Sequence, residues 1–185
     1  MESEALEKFY LLLHPRPAYV IGSGRVGEAI NFMAASWVSP IAEEPPRVGV
    51  AIGVESYTHD LINKYGSFTI NILPTDMLDV LYFLGSVSGR SVDKASKAGL
   101  KIGKGQVTET PVIEDGLAFM ECKVTSRLKS EDTTFFVGDV VGLKILRHDL
   151  FSMDKGWDFS KVNIPLHNWG RGFYTVGKFR IARKT

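Results

Sequence analysis

With one cysteine, Cys122, among 185 residues, the chain has no intrachain disulfide and no cysteine-based zinc site. Its four histidines, His14, His59, His148 and His167, are scattered without metal-ligand spacing, so structural zinc is not expected. Charge of one sign is not in excess either: the formal net charge is +1. That balance builds no field to gather nucleic acid or an anionic membrane, and a small ligand is the better expectation. An apolar run of membrane length and a signal-peptide pattern are both lacking, which makes the cytoplasm the expected compartment. Internal repeats and low-complexity segments are also absent. What remains, 44% apolar and 23% charged residues, suits one folded domain with a sizeable core.

Hydrophobic periodicity divides the domain. Leu6, Phe9, Tyr10 and Leu13 recur at spacings of three and four, predicting an amphipathic helix over residues 2–13 that ends at His14-Pro15-Arg16-Pro17. Strands are expected at AYVIG, at residues 29–38 and at RVGVAIGV, each bounded by Gly or Pro, with the EEPP turn stiffening the link before the last. Residues 59–65 and 75–84 resume a helical period, and a short helix is expected within 92–98. Further strands are expected at 117–128, 133–146 and 173–179. In AFMECKV the alternation puts Ala118, Met120, Cys122 and Val124 on one face, so Cys122 reads as a small core residue. This strand count suits a closed or nearly closed barrel.

Gly22-Ser23-Gly24-Arg25-Val26-Gly27 matches the dinucleotide fingerprint G-x-G-x-x-G after a strand. That motif requires a helix over residues 25–37 and an acidic residue closing the next strand about twenty residues on. Glu43 and Glu44 come before that strand, Glu55 comes late, and Pro40, Pro45 and Pro46 crowd the connection. Ser23 to Glu28 is therefore read as a glycine-rich hairpin turn.

Ser56-Tyr57-Thr58 opens the helical pattern that Gly66 closes. Ser56 or Thr58 is the expected N-cap. A helix start leaves backbone N–H groups unpaired and carries the positive end of the dipole, so hydroxyls there also suit an anion, in particular a phosphate attached to a flat apolar group.

The order A-x-S-W, a turn ending in Pro-Pro, an apolar strand, S-x-T at a helix start and F-x-I-N resembles the flavin reductase-like family of FMN-binding split barrels. SGRSVDK (88–94), GDVV (138–141) and PLHNWGRGFY (165–174) extend the likeness over about residues 16–178. The resemblance implies a mainly β fold with flanking helices, a six-stranded antiparallel split β-barrel of Greek-key type. The core would span residues 16–178, with the N-terminal helix at 1–15 before it and a basic tail at 179–185 after it.

The family also implies a homodimer with bound FMN, and NADH or NADPH as co-substrate or, for the carrier members, a redox partner protein. Residues Ala35, Ser36, Trp37 and Val38 would then meet the pyrimidine side of the flavin, and Ala51 and Ile52 would lie along its ring. Ser56, Tyr57 and Thr58 would hold the phosphate. Arg90 and Lys94 would add charge there, although Arg90 could instead pair with Asp93. Asn71, Ser88 and Gly89 would contact the ribityl chain or phosphate. His167, Phe173 and Tyr174 would approach the flavin or the substrate side. No catalytic residue is expected from the protein itself, because the flavin does the chemistry.

Overall fold

Alternating apolar residues and Gly- or Pro-rich turns break residues 19–53 into four strands. In the computed structural model, which describes residues 6–182, these are β1 (Tyr19–Arg25), β2 (Ala29–Ala35), β3 (Val38–Ala42) and β4 (Arg47–Gly53). After helix α1 (Tyr57–Tyr65) come β5 (Ser67–Ile72), helices α2 (Leu78–Ser86) and α3 (Lys94–Lys97), and two long strands, β6 (Ala118–Ser130) and β7 (Thr133–Ile145). Together the strands form one antiparallel sheet in the order β2-β1-β5-β6-β7-β4-β3.

The sheet curls on itself. Ile21 of β1 and Val48, Val50 and Ile52 of β4 have three strands between them, yet share one buried cluster with Phe68, Ile70, Cys122 and Phe136. A flat sheet would hold these residues too far apart to touch. The opposite face is closed by α2 and α3, with Leu81, Leu84 and Ala95 packed on Val20, Phe32 and Ile113.

The mainly β reading with flanking helices is borne out. The sheet has seven strands, because residues 29–38 are not one strand. The ladder to β1 ends at the Tyr19–Ala35 pair, Ser36 and Trp37 turn the chain, and pairing with β4 begins at Val38. The glycine-rich segment is a hairpin, as expected, although β1 runs on to Arg25 so that the turn is only residues 26–28.

At the N-terminus, residues 2–5 of the expected helix lie outside the described residues. Of the rest, residues 6–7 are helical and Phe9–Leu13 form a short 3₁₀ turn, on which Phe9, Leu12 and Leu13 are exposed and Tyr10 alone is half-buried. At the other end the expected strand 173–179 shrinks to Gly172–Tyr174 (β9), which pairs with Leu166–Trp169 (β8). Beyond Tyr174 the described residues form no further strand. Arg183 and Lys184 of the basic tail lie outside the described residues.

Cys122 is fully buried, and burial pushes its thiol up to about 12, with the Glu121 charge adding to the effect. Glu121 points to the other side of β6, where Gln106, Val107 and Thr108 donate backbone N–H groups to its carboxylate at 2.8–3.0 Å. The Thr108 hydroxyl donates to it as well, at 2.9 Å. No helix among the described residues is long and apolar enough to cross a membrane.

Candidate functional site

Helix α1 begins at the end of β4 because Ser56 caps it. The Ser56 hydroxyl accepts the His59 N–H at 3.1 Å and donates to the Gly53 carbonyl at 2.8 Å. Gly66, in the left-handed conformation, closes the last turn. Of the two hydroxyls expected at the helix start, Ser56 is therefore the cap. Thr58 turns inward, is 1% exposed, and accepts a hydrogen bond from the Asn31 side-chain amide at 2.8 Å.

The loop after α2 closes over this helix start. Arg90 pairs with Asp60 at 2.7 Å and lies over the Tyr57 ring, 5.3 Å from its centroid. It does not pair with Asp93, which instead caps α3 by accepting the Ser96 N–H. Gly89 passes so near the buried amide that a Cβ at this position would collide with Asn31 Oδ1 and stand 3.1 Å from the Tyr57 ring. Ser88 accepts the Arg90 N–H at 3.3 Å. Ser56, Tyr57, Thr58, Ser88, Gly89 and Arg90 are thus gathered as expected. Asn31 joins them, and among the described residues Asn31 Oδ1 is a buried acceptor with no hydrogen-bond partner.

Two expected members do not join. Lys94 is buried, and its ammonium donates to the Phe32 carbonyl at 2.9 Å and the Leu84 carbonyl at 2.7 Å. It ties β2 to α2 and is turned away from the helix start. Asn71 is fully buried: its amide nitrogen donates to Val20 O and Thr69 Oγ1, and its amide oxygen accepts the Ile113 N–H. Both ends of its amide serve the fold.

Burial lowers the Lys94 pKa to about 8 from 10.5; the two carbonyls favour the ammonium and limit that fall. Since the folded pKa is the lower one, the folded state sheds this proton across a range in which the unfolded chain keeps it, and stability contributed by Lys94 rises with pH. The stability difference between wild type and Lys94→Met, from urea melts, should be flat below about pH 7 and climb by at most about 3 kcal/mol as pH approaches the unfolded pKa. A pH-independent difference would contradict the assignment.

At the far end of β2 a cleft of about 270 Å³ opens between the β2–β3 turn, α2 and the β8–β9 hairpin. Ala35, Ser36, His167 and Phe173 line it with Tyr82 and Gly170, so four of the expected residues meet here. The His167 ring lies tilted against Phe173, with ring centroids 5.0 Å apart, and its Nε2 lies 3.3 Å from the Gly170 carbonyl. Burial lowers its pKa, the Gly170 carbonyl opposes, and His14 lowers it further.

Trp37 borders this region through Tyr10, whose ring lies 5.8 Å from Trp37 and stacks on Trp169 at 5.9 Å. The Trp37 carbonyl accepts the Ala51 N–H at 3.0 Å, which fixes the turn against β4. Ile52, expected along a bound ring, instead faces the central core and is fully buried, while Tyr174 is exposed and outside the cleft lining. Sequence reasoning missed Tyr10, His14, Tyr82 and Trp169 here. Their contacts depend on how the chain ends fold back, and local periodicity carries no signal of that. Asn31 had a faint one, a polar residue in an otherwise apolar strand.

The family model described as a flavin reductase like domain matches residues 11–177. An Archaeoglobus fulgidus protein is 32% identical over 169 residues, covering 91% of this chain and 93% of its own. Among solved structures, flavoredoxin from Methanosarcina acetivorans superposes with a TM-score of 0.80 at 28% identity, covering 90% of this chain and 88% of that one. An FMN-binding protein from Thermus thermophilus gives 0.79 at 27% identity, covering 92% and 91%.

Proposed function

From the premise that the chain belongs to the flavin reductase-like domain family, with a flavin-linked redox role, we propose that it binds FMN and acts as an NAD(P)H-dependent flavin or ferric reductase. The observation that carries this reading is the pairing of two sites on one strand. Asn31 and Ala35 stand four residues apart on β2, about 13 Å of strand, with an anion-suited helix start at one end and an apolar-walled cleft at the other. The helix start fits a phosphate on its own terms: it offers dipole, the Thr58 hydroxyl and a guanidinium, and a glycine where nothing bulkier fits.

When bound, FMN supplies the hydride and electron transfer chemistry. The chain's own residues position it. The Thr58 hydroxyl and the first backbone N–H groups of α1 hold the anion end, Ser56 keeps that helix start in place as its cap, and Arg90 exchanges its surface partner Asp60 for phosphate, a change that sacrifices little because exposed pairs are weak. The turn at Ser36 and Trp37, lying outside both ladders, presents backbone donors to the polar edge of the head group. His167 and Phe173 form the wall on which the second substrate rests. A second copy of the chain covers the separate apolar groove of about 460 Å³ that includes Leu143, Met153 and Trp157, where Met153 is 87% exposed, giving the homodimer.

The likeness to flavoredoxin favours one other reading, an electron carrier that exchanges with a partner protein. Anaerobic mixing separates the two. Bleaching of the yellow protein by NADH or NADPH supports the reductase; no bleaching by either nucleotide, with reduction by a ferredoxin-like protein, supports the carrier. A protein that takes up no flavin ends both.

A further inference from the structure

The start of α1 holds a hydrogen-bonding mismatch. Asn31 is 4% exposed and Thr58 1%. The Asn31 amide nitrogen donates to Thr58 Oγ1, while Asn31 Oδ1, facing the Gly89 loop, accepts from none of the described residues. An amide carries two N–H donors and an acceptor oxygen, and a threonine hydroxyl has one proton to give. With its oxygen already receiving the amide, Thr58 must direct that proton away from Asn31. With the amide turned over, Thr58 would donate to Oδ1, and the NH₂ group would occupy the position of the orphaned oxygen. In both arrangements the pair has a surplus donor aimed out of itself, and the second also removes the unpaired acceptor.

Resting on the FMN reading above, we propose that Asn31 makes this site select a phosphate-bearing flavin over the uncharged one: anion binding turns the amide, and its NH₂ group then faces the phosphate. Three observations converge on this role. The unpartnered atom lies at the positive end of a nine-residue helix. Gly89 leaves no room for a side chain that would shield the amide from the loop. The Arg90 guanidinium lies over the Tyr57 ring, which Gly89 also approaches. A purely structural asparagine would have both ends of its amide bonded, as Asn71 has.

The test compares FMN with riboflavin, titrated into apoprotein and followed by flavin fluorescence. Wild type is expected to bind FMN more tightly. In Asn31→Asp the pair becomes an acceptor, so FMN affinity should fall at least about 100-fold while riboflavin changes by no more than about threefold. Asn31→Ala, which should lose about tenfold for FMN alone, decides the matter if the aspartate variant does not fold, as judged by thermal melting. An unchanged FMN-to-riboflavin ratio, or equal loss of both flavins, overturns the role of Asn31 and leaves the phosphate site standing. A wild type that does not distinguish the two flavins brings down the phosphate reading itself.

Discussion

Glu121→Ala is expected to lower the unfolding free energy by about 3–5 kcal/mol, a large part of the roughly 5–15 kcal/mol that holds a domain of this size together. The carboxylate is 2% exposed and gathers four donors from the 106–108 segment, three of them backbone N–H groups. Removing it takes from those donors the acceptor that holds the segment against the outer face of β6. Gly105 lies against the same carboxylate so closely that a Cβ there would collide with Glu121 Oε2, and the alanine variant consequently leaves a void as well as unmet hydrogen bonds. Glu121→Gln should fall between, because an amide oxygen replaces only half of the acceptors and its NH₂ group confronts donors. Urea denaturation decides this: a midpoint within error of wild type for the alanine variant would refute the role given to this carboxylate.

The second large effect is on cofactor retention. Thr58→Ala combined with Arg90→Ala should weaken FMN binding at least about 100-fold, since each lost hydrogen bond to a charged group is worth about 1.5–3 kcal/mol. The two residues act differently on the fold. Arg90 is half-exposed and paired with an equally exposed Asp60, so its removal hardly moves stability. Thr58 is buried and leaves the Asn31 amide without its acceptor, so the double variant should melt somewhat lower. Equilibrium dialysis against FMN, at a temperature well below the melt, reads binding apart from folding. Unchanged retention would remove the helix start as the phosphate site.

How much of this was legible in the chain depends on the distance over which each signal acts. Helix α1 was readable at both ends because Ser56 and Gly66 act on their own backbone neighbours, and the hairpin turning at residues 26–28 and the core side of β6 followed from local turn chemistry and alternation. The break at Ser36 and Trp37 was not legible, because it arises when the chain exchanges β1 for β4 as its partner, a choice made by residues far along the sequence. Lys94 misled for a related reason. A lysine near a phosphate motif reads as a ligand until the fold brings the Phe32 and Leu84 carbonyls to its ammonium. Asn71 did likewise, with its partners scattered across Val20, Thr69 and Ile113. The resemblance, resting on an ordered set of short motifs, carried the overall architecture; it could not say which polar residues the core would claim for itself.

The sealed position of Cys122 has a practical consequence. Thiol reagents attack the thiolate, and a sulfur with no solvent exposure and a proton held to about 12 offers them almost none at neutral pH. The native molecule is therefore a blank background for maleimide labelling. A single cysteine introduced at the exposed Leu12 position would take up the dye alone, placing a reporter on the turn that carries Tyr10 without altering any other side chain.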